Sequence, residues 1–435
     1  VKKVILSFCL LHLFILSFSQ EIKKGDVYSY ARKIVDTLAS PTMCGRGYVN
    51  EGDKKAAEYI RNEFELFGLN PFDRGSFQKF SFPINTFQDS SVFLFGLNSG
   101  KEKFSGKLGQ NYLIAADAPG FRSDFKAIVF DSTYALPKTF EKFWKRSKGY
   151  DVIIVDDRKV QDKTKIEYFK KVKANYFKKK CIIELEKKLT WHQSQRVSDF
   201  VRIQILADSF SLTKKKFSGS LVFKNTFIPE YLSQNVIGYQ PGTQYPDSFI
   251  VFSAHYDHLG GFGKEAYFPG ANDNASGTAM LLNLAKYYSQ NPQKYSIAFM
   301  AFGAEEVGLV GSKFYTEHPF FPLKNIKFVL NMDIMGTGEE GITVVNGSVH
   351  KSEFEILERI NKDNDLIKEV KIRGRSANSD HFYFSENSVK AFFIYSMGGI
   401  KAYHDIYDRA ETLPLNEFED LFKLIVKFGD ALQKY

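Results

Sequence analysis

A histidine or a carboxylate follows each of several short apolar runs in the second half of the chain. Residues 249–254 lead into His255-Tyr256-Asp257-His258, and 297–301 lead into Gly303-Ala304-Glu305-Glu306. Residues 328–330 lead into Asn331-Met332-Asp333, and His404 follows the run 391–395 a short way on. Asp273 sits in Pro269-Gly270-Ala271-Asn272-Asp273-Asn274-Ala275-Ser276-Gly277, ahead of an apolar segment. Each has an ordinary explanation taken alone: an Asp before a helix caps it, a Glu pair opens a solvated helix, and a His after a strand is a structural residue. Taken together they need a different account, because polar groups at the ends of adjacent strands converge on one crevice. Two imidazoles with several carboxylates form a hard-to-borderline donor set that suits zinc.

The elements that must position these groups can be read from periodicity. Residues 26–38 and 52–67 are expected helices; in the second, Ala56, Ile60, Phe64 and Phe67 share a face while Lys54, Lys55 and Arg61 lie elsewhere, and Gly68 ends it. Residues 41–47 between them read as a loop. From about 80 to 231 the runs 91–96, 126–131, 150–155 and 221–224 alternate with turns and Lys-rich connectors, which predicts a β-rich insertion without a catalytic constellation. After Asn235, the runs 249–254, 297–301, 328–330, 342–345 and 391–395 read as buried strands, with a helix over 275–288. This alternation predicts an α/β sheet with helices on both faces, where ligands gather at the carboxyl ends of the strands.

At 435 residues, 44% hydrophobic and 25% charged, the chain has the make-up of a globular protein that buries a full core. Its 43 Phe residues are assigned to core positions. The net charge of +9 includes Lys2 and Lys3 and Lys-rich stretches between 138 and 188. No nucleic-acid-binding motif accompanies them, so they are read as solvated faces and no nucleic-acid partner is expected. Residues 1–19 read as a signal peptide: a basic start, an apolar run from 4 to 18 too short to span a membrane, and Ser17 and Ser19 ahead of cleavage before Gln20. No later transmembrane segment is expected, so the mature chain is read as secreted or periplasmic. Cys44 and Cys181 remain after cleavage; one disulfide between them is compatible with an exported protein, and their separation in sequence favours free thiols.

The ordered segments resemble the M28 family of zinc peptidases, of the secreted aminopeptidase type. They are Ala254-His255-Tyr256-Asp257-His258-Leu259-Gly260, residues 269–277, and Phe302-Gly303-Ala304-Glu305-Glu306-Val307-Gly308. Asn331-Met332-Asp333-Ile334-Met335-Gly336, Ser379-Asp380-His381-Phe382 and Tyr403-His404 complete the set. The resemblance implies a mixed central β-sheet sandwiched by helices, of the zinc exopeptidase (phosphorylase/hydrolase-like) fold. It divides the chain into a signal peptide (1–19), a catalytic domain (20–80 and 232–435) and an inserted β-rich subdomain (81–231), where many relatives carry a protease-associated domain.

It also implies two Zn2+ per chain. His255 and Asp333 would bind one, Glu306 and His404 the other, and Asp273 both, with a water shared between the metals. Glu305 becomes the general base, and Asp257 accepts the free N–H of His255. His258 and His381 are expected to be structural or supporting, and a cis peptide is expected at Asp273-Asn274. The tail departs from the family's usual Tyr-His-Thr-Pro, reading Tyr403-His404-Asp405-Ile406-Tyr407-Asp408. The implied reaction is removal of the N-terminal residue from peptides with a free amino end. A glutaminyl cyclase of related fold, a carboxypeptidase and an inactive binding homologue are the alternatives; oligomeric state stays open.

Overall fold

The computed structural model describes residues 25–88, 93–100 and 102–434. The expected signal peptide, residues 1–19, lies outside them, as do residues 91 and 92 of the run 91–96. Among the described residues no helix is long and apolar enough to cross a membrane.

An eight-stranded mixed sheet carries the second half of the chain. Its order is Phe77–Thr86, Thr226–Gln240, Tyr295–Phe302, Tyr245–His255, Ile326–Met332, Ala391–Met397, Gly341–Val345 and Val370–Ile372. The four strands from Tyr295–Phe302 to Ala391–Met397 run parallel, and antiparallel pairings flank them on both sides. Side chains alternate across the sheet, as the period of two requires. Ile250, Phe252 and Ala254 pack into the larger core with the helices Asp26–Leu38, Gly52–Leu66, Gly277–Gln290 and Phe418–Leu432. Phe249 and Val251 pack on the opposite face with Tyr315 and Phe384, from the helices Val310–Glu317 and His381–Glu386. Burial on both faces explains why these strands read as unbroken apolar runs.

A second eight-stranded sheet uses strands lying between Leu94 and Phe223. Phe121–Asp131, Val152–Asp156, Cys181–Glu186 and Arg202–Leu206 are parallel neighbours in it. The Lys-rich connectors between these strands include two helices, Pro137–Ser147 and Lys163–Asn175. They bury Phe140, Phe143, Phe169 and Val172 against Phe130 and Val155, while most of their lysines face water and Lys173 pairs with Glu184. The two sheets meet at an aromatic seam. Trp191 stacks on Phe268 at 5.2 Å and 8°, and Phe87 lies 5.0 Å from Phe262.

Asp53, on the helix Gly52–Leu66, ties that helix to the strand Thr226–Gln240 through the hydroxyls of Tyr231 (2.6 Å) and Ser233 (2.8 Å). Burial pushes its pKa up to about 6, although both hydroxyls and the Lys54 amide oppose the shift. A raised carboxyl contributes stability below its unfolded pKa and loses it as pH rises through the folded value. Asp53→Asn should therefore gain thermal stability relative to the unsubstituted protein between about pH 4 and pH 6. A difference in melting temperature that stays flat across that interval would contradict the assignment.

Candidate metal centre

The parallel strands deliver their side chains to one crevice at their carboxyl ends. His255 is the last residue of its strand, and Asp333 directly follows Met332. Glu305 and Glu306 sit in a turn just past Phe302, and His404 in the loop after Met397. Asp273 lies in the turn Ala271–Ser276 leading into the helix Gly277–Gln290. The peptide Asp273-Asn274 is cis, as the resemblance implied.

Two groups of donor atoms form. His255 Nε2 lies 3.4 Å from Asp273 Oδ1 and 3.3 Å from Asp333 Oδ1. His404 Nε2 lies 3.1 Å from Asp273 Oδ2 and 3.2 Å from Glu306 Oε2. The two oxygens of Asp273 thus face opposite groups. Donors about 2.0–2.1 Å from a tetrahedral zinc are separated by about 3.3 Å, so these spacings fit the ion. Asp333 Oδ1 is buried without a hydrogen-bond partner, the condition of a lone pair that needs a cation. Among the described residues, no lysine or arginine forms an ion pair with Asp273, Glu305, Glu306 or Asp333. The donor set fits zinc on charge, spacing and atom type.

The electrostatics have the same origin. Burial alone would lower the His255 pKa, but the carboxylates of Asp333 and Glu305, with Asp257 and Asp273, hold it well above its ordinary value. Burial also opposes the shift at His404, which Glu306 and Asp273 raise to about 11. Asp273 is held well below the usual carboxylate range despite its burial, because His255 and His404 both bond to it. Glu306 falls to about 2 against burial and the charge of Asp273, through His404 and His258. Glu305 goes the other way: burial, with Glu306, Asp380 and Asp333 nearby, holds it well above the carboxylate range against the pull of His255.

Asp257 sits behind His255 and has further partners. The nearest acceptor to His255 Nδ1 is the main-chain oxygen of Asp257 at 3.2 Å; the carboxylate is 3.8 Å away. That carboxylate also accepts the amides of Glu305 (3.0 Å) and Glu306 (3.3 Å) and the hydroxyl of Tyr48 (3.2 Å). The two glutamates diverge on this anchored turn; Ala304, just before them, has a φ of 59°. Glu305 groups with His255 and Asp333, while Glu306 groups with Asp273 and His258. His258 Nδ1 bonds Glu306 Oε1 at 2.7 Å, leaving Oε2 for the His404 side. His381 is buried against Phe393, outside both donor groups.

Two further residues hold the loops from behind. Arg46 is fully buried and donates to the main-chain oxygens of Tyr256, Leu38, Pro269, Gly270 and Asp273. The loop that carries it lies so close to 259–268 that a Cβ on Gly45 would come within 2.5 Å of two carbonyl oxygens. Asp408 accepts the amides of Asn272 (2.8 Å) and Asp273 (3.0 Å), and burial raises its pKa to about 6. Asp408 stands in the tail segment that departs from the family pattern, and with His404 it ties that segment to the site. Cys44 and Cys181 are both free.

Residues 235–429 match the profile of Peptidase family M28. Aminopeptidase YwaD of Bacillus subtilis is 36% identical over 136 residues, 31% of this chain and 28% of that protein. A probable zinc metalloprotease of Pyricularia oryzae is 39% identical over 111 residues, 25% of this chain and 22% of that protein. The chain therefore spans less than a third of the length of either curated relative. Among solved structures, a zinc aminopeptidase from Bacillus subtilis aligns over 93% of this chain and 94% of its own at 20% identity and a TM-score of 0.65. A Peptidase M28 precursor from Shewanella amazonensis aligns over 93% of both chains at 16% identity and the same TM-score. These likenesses establish the mixed α/β fold along nearly the whole chain. Residues 235–429 form a domain of peptidase family M28.

Proposed function

We propose that this chain is a zinc-dependent aminopeptidase that releases the N-terminal residue of peptides. The observation that carries the reading is the placement of Asp273, one oxygen toward His255 and Asp333 and the other toward His404 and Glu306. In this reading His255 and Asp333 hold one zinc, His404 and Glu306 a second, and Asp273 both. Zinc at such a site polarises the scissile carbonyl and makes a water easier to deprotonate. Glu305 takes the proton of the attacking water as the new C–O bond forms. It then returns that proton to the amine nitrogen as the C–N bond breaks. Asp257 fixes the main chain of both glutamates, so the base and the neighbouring ligand keep their separation.

The named aminopeptidase and zinc metalloprotease relatives support the activity. Residues 81–231 are taken as an inserted unit, and residues 1–19 as the signal that exports the protein.

The purified protein should contain close to two zinc ions per chain and release amino acids from free-amine dipeptides. It should be inactive on the N-acetylated forms, and a chelator should abolish turnover. A preparation that binds no zinc, or one that cleaves acetylated peptides equally well, would overturn the proposal. Ring closure of an N-terminal Gln without amino-acid release would identify a cyclase instead.

A further inference from the structure

The second sheet reaches the donor cluster through one loop. Between the strands Cys181–Glu186 and Arg202–Leu206 the chain leaves that sheet and lies against the loops that carry the site residues. Lys188 Nζ donates to the main-chain oxygens of Lys401 (3.1 Å) and Tyr403 (3.0 Å) and pairs with Asp405 at 2.9 Å. The amide of Trp191 donates to the main-chain oxygen of His404 at 3.0 Å. Gln193 donates to the main-chain oxygen of Leu259, and Gln195 to that of Val307 at 2.6 Å. Trp191 is itself fixed, with its ring on Phe268 and its indole N–H donating to Ile114 O at 2.8 Å. The loop is therefore braced from both sides.

The next residue, His192, brings its Nδ1 to 3.1 Å from Nδ1 of His404, with the rings 4.9 Å apart and inclined at 71°. The other nitrogen of His404 faces Asp273 and Glu306. A histidine that offers one nitrogen to a metal needs its other N–H held, or neither the tautomer nor the ring plane is fixed. Among the described residues, the hydrogen-bond partner found at His404 Nδ1 is His192.

We propose that His192 is a positioning residue for His404, so that the inserted segment completes the half-site of His404, Glu306 and Asp273. This rests on the zinc reading above. The Nδ1–H of His404 donates to the lone pair on His192 Nδ1, which leaves the Nε2 lone pair of His404 directed at the ion. The insertion is then part of the metal centre.

The test measures zinc affinity by chelator competition on the full chain, with kcat and KM in parallel. His192→Ala should weaken one of the two zinc ions by about 10–100-fold, the usual cost of losing such a partner, and leave the other unchanged. His192→Asn and His192→Gln provide a comparison that survives if the Ala variant does not fold. The Asn oxygen falls near the position of Nδ1 and should restore most of the affinity, whereas the Gln oxygen falls near Nε2 and should not. If the unsubstituted protein binds no zinc, the zinc reading itself fails. If it binds two ions and all three variants bind both with unchanged affinity, the role given to His192 is wrong. Equal weakening of both ions, or equal affinities for Asn and Gln, would also overturn it.

Discussion

Glu305→Gln should lower kcat by about 100- to 10,000-fold, the range for removing a general base, while zinc content and KM stay near their original values. The substitution keeps the shape of the side chain and removes its ability to carry a proton. The anchoring of this turn is untouched, because Asp257 binds the main-chain amides of Glu305 and Glu306 and not the Glu305 carboxylate. Unfolding is not a competing explanation. Burial and the carboxylates of Glu306, Asp380 and Asp333 hold the Glu305 pKa well above the ordinary range. Such a group contributes stability when protonated and loses it as pH rises. A neutral amide at this position should therefore raise the neutral-pH stability of the metal-free protein. The variant also separates two roles, because Glu305 lies close enough to His255 and Asp333 to be a ligand itself. Activity lost in proportion to zinc would make Glu305 a ligand; activity lost with zinc retained makes it the base.

The parts of this site that were legible in the sequence are those whose signal is local. His255 and Asp333 end strands buried on both faces, so each shows as a polar residue terminating an apolar run. Helix 26–38 was legible to the residue because its apolar face repeats without interruption. The helices Pro137–Ser147 and Lys163–Asn175 were obscured by lysine content, although a signal existed. Phe140, Phe143 and Trp144, and likewise Ile166, Phe169 and Val172, follow helical spacing, and Pro137 opens the first helix.

What could not be read acts through the main chain of distant segments. The Asp257 carboxylate bonds amides 48 and 49 residues away, and Asp408 bonds amides 136 and 135 residues away. His192 is a lone histidine in a stretch that matches none of the ordered segments, 212 residues from the ring it touches. Sequence spacing carries information about groups that share a strand or a helix turn. It carries little about a side chain whose partners are carbonyl oxygens or amides, since every residue offers those.

Arg46 is the extreme case, and its replacement should have the largest effect on stability. The side chain is fully buried, and its guanidinium reaches five main-chain oxygens, at 2.7 Å for Tyr256, Pro269 and Gly270, 2.9 Å for Leu38 and 3.3 Å for Asp273. Burial lowers its pKa to about 10 against the carboxylates of Asp408, Asp273, Asp257 and Glu306, so it stays charged at neutral pH. Arg46→Met keeps the length and apolar stem but leaves these carbonyls without donors, in a place water reaches poorly. Removing one partner from a buried charged network costs on the order of 3–5 kcal/mol, and each unpaired buried group about 1–3 kcal/mol. Arg46→Lys should recover only part of the loss, since one ammonium offers three donors from a single point. The carbonyls released belong to residues beside His255 and to the segment ending in Asp273. Both zinc ions should therefore be weakened together, in contrast to the single ion expected for the His192 variants. Thermal unfolding with and without zinc, combined with chelator competition, checks both parts. An Arg46→Met protein with unchanged melting temperature and two tightly held ions would show that the ligand loops hold their shape without the arginine.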